Sequence, residues 1–110
     1  MKKLLIIALL FWGCSGKSDC TASDGTPGVE LWAVCYSIEN TKRINLGQNQ
    51  FTGEIPPEIG NLTNLTYLSL GGNQLTGEIP PEVCDLINNT IYNFYMPNIL
   101  WGNNLINTCE

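Results

Sequence analysis

The sequence has no histidine. That excludes His-based catalytic triads, imidazole metal ligands and a side-chain charge switch near neutral pH. Basic residues are scarce: 5 Lys and Arg stand against 10 Asp and Glu, for a net charge of -5. Loss of Lys2 and Lys3 with a cleaved leader would take -5 to -7. Such an acidic chain is a poor partner for nucleic acid or for anionic lipid headgroups. Long apolar runs are missing too. The longest, Leu4 to Trp12, has nine residues, too few to cross a bilayer as a helix. No P-loop, nucleophile elbow or zinc-ligand spacing is present. Nothing calls for a cofactor or a metal.

What is present begins with an export signal. Met1-Lys2-Lys3 is a basic start, Leu4 to Trp12 an apolar run, and Gly13-Cys14-Ser15-Gly16 a small, turn-prone end. That order reads as a secretory signal peptide over residues 1–16, rather than as a buried helix. Phe11-Trp12-Gly13-Cys14 resembles a bacterial lipobox, in which the cysteine is lipidated and becomes the first mature residue. Phe11 and Trp12 are bulkier than usual there, and ordinary cleavage, with Cys14 removed or left as a free thiol, is the alternative. Five cysteines leave one over. Setting Cys14 apart, two local disulfides follow, Cys20–Cys35 and Cys84–Cys109, one at each end of the domain. The first closes a loop of about 15 residues, worth about 3 kcal/mol in the chain-entropy model.

Residues 17–28 are rich in Gly, Ser, Thr and Asp and read as a linker. Residues 29–43 turn apolar and read as an N-terminal cap, with Trp32 and Val34 covering the core. Residues 44–86 are one phrase written twice. Leu46, Asn49, Gly53 and Pro56 return as Leu70, Asn73, Gly77 and Pro80, an offset of 24 throughout. A fixed period in the twenties carrying L-x-L-x-x-N-x-L predicts a leucine-rich repeat solenoid. Ile44 and Leu46, then Leu68 and Leu70, alternate with polar residues as in short strands with one buried face. Asn49 and Asn73 are expected to form a ladder, bonding the backbone of neighbouring coils. A further step of 24 lands on Tyr92 and Phe94, so residues 87–110 read as a degenerate third repeat and C-terminal cap.

Leu75-Thr-Gly-Glu-Ile-Pro-Pro-Glu82, Ile59-Gly-Asn-Leu-Thr-Asn-Leu65 and Leu68-Ser-Leu-Gly-Gly-Asn-Gln-Leu75 resemble the plant-specific class of leucine-rich repeats, also found in some bacterial surface proteins. The resemblance implies an α/β-type solenoid: a right-handed arc with a parallel concave sheet, a second strand in each coil, and disulfide-closed caps. It also implies a concave face that binds protein, peptide or glycan. Two clear copies are far fewer than the family usually carries.

The predicted function is a non-enzymatic binding module, secreted or lipid-anchored at the cell envelope, monomeric, with a protein or glycan ligand. The concave candidates are Arg43, Asn45 and Gln48 from the first coil, Tyr67 and Ser69 from the second, and Asn93 and Tyr95 from the third. The rival readings are a structural or adhesive surface unit without a discrete ligand, and a shortened remnant of a longer repeat protein. Glu54, Glu58, Glu78 and Glu82 recur at equivalent places beside prolines and read as solvated consensus residues rather than as catalysts.

Overall fold

A computed structural model describes residues 16–89 and 97–109. The leader with Cys14, and the concave candidates Asn93 and Tyr95, lie outside the described residues.

The described part opens with an antiparallel sheet of β1 (Gly16–Thr21), β2 (Pro27–Leu31) and β3 (Val34–Ser37), in the order β1-β2-β3. Residues 17–28 are therefore not a loose linker: they supply most of β1, a turn and the start of β2. Asp24 closes that turn. Its carboxylate accepts from Thr26 Oγ1 at 2.6 Å, Asn40 Nδ2 at 2.9 Å and Thr26 N at 3.0 Å. These bonds, those from Thr26 and Asn40 above all, hold its carboxyl below the ordinary carboxylate value. The Cys20–Cys35 disulfide ties β1 to β3.

The β2–β3 hairpin turns on Trp32 and Ala33, both at positive φ, 48° and 71°. A two-residue loop of that kind matches the twist of its strands. The core is covered by Val29 and Leu31, both fully buried. Trp32, from the turn itself, stacks on Phe51 with ring centroids 4.9 Å apart. Val34 does not take the covering role expected of it. It stands at the hairpin end of an edge strand, 51% exposed, and Trp32 fills the place against Phe51.

Two coils follow. β4 (Arg43–Asn45) and β6 (Tyr67–Ser69) pair in parallel, Arg43 with Tyr67, Ile44 with Leu68 and Asn45 with Ser69. The offset of 24 seen in the sequence is thus the strand register itself. A second parallel sheet holds β5 (Thr52–Gly53), β7 (Gln74–Glu78) and β8 (Asn104–Ile106), in the order β5-β7-β8. Between the sheets Ile44, Ile55, Ile59, Leu62, Leu65, Leu68, Leu70, Leu75, Ile79 and Val83 form one buried core.

The two coils differ on their third side. Pro57–Asn61 is a 3₁₀ turn, whereas Pro81–Asn89 is an α-helix, α1. The first contains Gly60 where the second has Cys84. A Cβ on Gly60 would meet the Cβ of Glu82 at 2.6 Å, so glycine is what lets α1 pack so closely. Cys84 instead bonds to Cys109 and closes the far end.

The third coil enters later than a strict period predicts. After α2 (Pro97–Leu100), Leu100-Trp101-Gly102-Asn103-Asn104-Leu105 repeats Leu70-Gly71-Gly72-Asn73-Gln74-Leu75 at an offset of 30. Gly72 N donates to Trp101 O at 2.6 Å, as Gln48 N donates to Gly71 O at 2.7 Å. Ile99 is fully buried and completes the core.

Asparagine bonds join the three coils. Asn73, 4% exposed, accepts at Oδ1 from Asn49 N and Phe51 N, each at 3.1 Å. Its Nδ2 donates to Leu46 O at 2.9 Å and Leu70 O at 2.8 Å. Every hydrogen-bonding position of the amide is filled. Asn103 repeats the pattern one coil on: Leu75 N donates to its Oδ1, and its Nδ2 donates to Leu70 O and Ile99 O. Asn49 differs from the expected ladder residue. It is exposed, and its side chain donates only to Leu46 O and Gly47 O of its own coil. The N-terminal sheet supplies no coil before it for the side chain to reach.

Candidate functional site

The face carrying β4 and β6 gathers the candidates that lie among the described residues. On a strand, alternate side chains leave opposite faces, so burying Ile44 and Leu68 turns Arg43, Asn45, Tyr67 and Ser69 outward. The register then sets them in pairs. The Arg43 guanidinium lies over the Tyr67 ring, 4.0 Å from its centroid, a contact that orders both long side chains on the surface. Asn45 stands beside Ser69.

Below this pair of pairs the surface opens into a hollow of about 600 Å³. Gly47 and Gly71 lie at its floor: a Cβ on Gly47 would stand 3.1 Å from Gly71 O and 3.3 Å from Ser69 Oγ. Asn45, Gln48 and Ser69 line it from the first two coils. Asn98 and Trp101 line it from the third. Trp101 is 59% exposed. Among the described residues, no side-chain hydrogen bond engages Asn45, Gln48, Ser69 or Asn98, and no charged side chain lines the hollow.

Trp101 and Asn98 were not candidates on sequence grounds. A step of 24 from the second coil passes them by, and only the phrase Leu-x-Gly-Asn-x-Leu at an offset of 30 finds them. Gln48 has its own peculiarity. It occupies the left-handed region at φ 59°, where the equivalent residues are Gly72 and Gly102 at φ 76° and 74°. Those glycines are needed because each faces the coil before it: a Cβ on Gly102 would meet Gly72 Cα at 2.7 Å. Position 48 has no earlier coil against it, so a side chain fits there.

Glu54, Glu78 and Glu82 are exposed and Glu58 is half-buried. Among the described residues no three of His, Cys, Asp and Glu are grouped to hold a metal. No described helix is long and apolar enough to cross a membrane.

Residues 40–62 and 64–86 each match the family model for the Leucine Rich Repeat. Both stretches are thus similar to the leucine-rich repeat. The matched stretches hold β4, β5, β6, β7 and most of α1, so both repeats contribute to the Arg43–Tyr67 surface. The third coil, which supplies Trp101, lies beyond the match. No curated protein matches this chain. Leucine-rich repeats generally mediate protein–protein binding.

Proposed function

We propose that this protein is a non-enzymatic recognition module whose β4–β6 face is the concave side of a short right-handed solenoid. One observation carries the reading. Arg43, Asn45, Tyr67, Ser69 and Gln48, scattered over two repeats, meet on one face beside an open hollow. Tyr and Arg at the centre of a surface are the residues most often found to dominate binding. The second sheet, β5-β7-β8, and the Leu-Thr-Gly-Glu-Ile-Pro phrase support a repeat of the plant type. The two disulfides fit an oxidising compartment. With the basic, apolar and small segments of residues 1–16, they support export, with Cys14 as the lipid attachment point at the cell envelope.

The test is capture of extracellular protein and glycan fractions on the full chain, set beside the Arg43→Ala/Tyr67→Ala double variant. The expected result is a ligand whose affinity falls at least about tenfold in the variant, at an unchanged melting temperature. Equal affinity in the two proteins would exclude this face.

A second reading, an adhesive unit that associates with its own copies, is favoured by one feature. Ile106 on β8, the outer strand of the second sheet, is 59% exposed. Size-exclusion chromatography over a range of concentrations separates the two, since the recognition module stays monomeric.

A further inference from the structure

We infer that the hollow beside Trp101 takes one ring of a neutral sugar, stacked on the indole. The inference rests on the β4–β6 face being a recognition surface, and it narrows the ligand to a neutral oligosaccharide or polysaccharide.

Four features of the hollow point to that class. The first is Trp101 itself. Leaving most of a large apolar ring in water forgoes favourable burial, and nothing in the described fold covers it. A Cβ on Gly71 would lie 3.2 Å from Trp101 Cε3, and one on Gly72 2.8 Å from Cζ3. The ring therefore rests on bare backbone, and any side chain at either glycine would displace it. The second is the rim. Asn45, Gln48 and Asn98 each offer an amide donor and acceptor, and Ser69 a hydroxyl, all free of side-chain bonds among the described residues. The third is neutrality, since among the described residues no charged group lines the hollow. The fourth is Gln48: with no earlier coil against it, position 48 brings an amide side chain to the hollow where its two counterparts are glycine.

A pyranose ring has an apolar C–H face and an edge of hydroxyls that both donate and accept. It fits a single aromatic platform ringed by amides, in a site with few, well-placed polar groups. A charged ligand finds no counter-charge among the described residues that line it. A nucleobase would stack equally well, but its phosphates would approach a chain of net charge -5.

The experiment titrates the full, oxidised chain with neutral hexasaccharides: cellohexaose, xylohexaose, mannohexaose, laminarihexaose and chitohexaose. Oligogalacturonate is the charged comparator. Calorimetry gives the affinity, and the indole N–H resonance of Trp101 reports its site. At least one neutral hexasaccharide should bind and move that resonance. Affinity should fall about tenfold or more in Trp101→Ala, and likewise in Ser69→Gln, which fills the hollow from the β6 side. Both variants should melt close to the parent, because Trp101 is exposed and the half-buried Ser69 side chain borders the open hollow. No binding of any neutral hexasaccharide up to about 10 mM, binding of oligogalacturonate alone, or affinity untouched by both variants would overturn the inference. A ligand that depends on Arg43 and Tyr67 but ignores Trp101→Ala and Ser69→Gln would overturn the sugar while leaving the recognition face. Absence of either kind of ligand would overturn both.

Discussion

Asn73 does more for this structure than any other polar residue described. Its buried amide satisfies two carbonyls and two amides drawn from two coils. Asn73→Ala would strand those groups where water reaches them poorly, and the expected loss is about 3 kcal/mol or more. Asn49→Ala, at the same place in the first coil, should cost within about 1 kcal/mol, because its side chain is exposed and bonds only locally. Urea denaturation of the two variants checks the contrast. Similar losses would mean that the ladder does not depend on what lies before each coil. The same logic explains Gln48. A position that must be glycine between coils is released from that demand at the end of the stack.

At the scale of elements, much was legible because the repeat is a direct record of the register. An offset of 24 between Ile44 and Leu68, or Arg43 and Tyr67, is the pairing of β4 with β6. The cysteines marked both ends, since each pair is local: Cys20 and Cys35 precede the repeats, and Cys84, in the last turn of the second repeat, reaches forward to Cys109. Other elements were hidden for identifiable reasons. β1 reads as a linker because Lys17-Ser18-Asp19-Cys20-Thr21 is polar, and its strand forms only when β2 offers backbone partners. Val34 reads as core by its type, yet the turn at Trp32 and Ala33 put the indole against Phe51 instead. A third repeat was expected within residues 87–110, but its register was misplaced because the repeated spacing is internal: Leu100, Gly102, Asn103 and Leu105 keep their distances, while the segment before them is longer. With it went Trp101, so the Arg43–Tyr67 half of the candidate face was legible and the Trp101 half was not. Gly60 gives this scale its own prediction. Gly60→Ala forces a methyl onto Glu82 of α1 and should lower stability by about 1–3 kcal/mol. A fully stable Gly60→Ala would mean that α1 does not pack so closely against the 3₁₀ turn.

For the whole molecule, the difficulty is copy number. A stack of coils exposes its core at both ends, and about three units are usually needed for a stable repeat array. Here the antiparallel sheet closes one end with Val29, Leu31 and Trp32. The third coil closes the other with Ile99 and the Asn103 bonds. The Cys84–Cys109 disulfide, with a sequence separation of 25, ties that coil to α1 and should contribute about 3 kcal/mol by restricting the unfolded chain. The proposed recognition surface depends on this closure, because Trp101 and Asn98 reach the hollow only if the third coil is in place. Native-state hydrogen exchange of the oxidised full chain tests it most directly, read at two amides. Phe51 N–H is bonded to Asn73 and Leu75 N–H to Asn103. Both should be strongly protected, and in a Cys84→Ser/Cys109→Ser variant Leu75 should lose more protection than Phe51. A Leu75 amide that exchanges freely in the oxidised chain would contradict the account, for then the third coil does not close and Trp101 has no fixed place on the face.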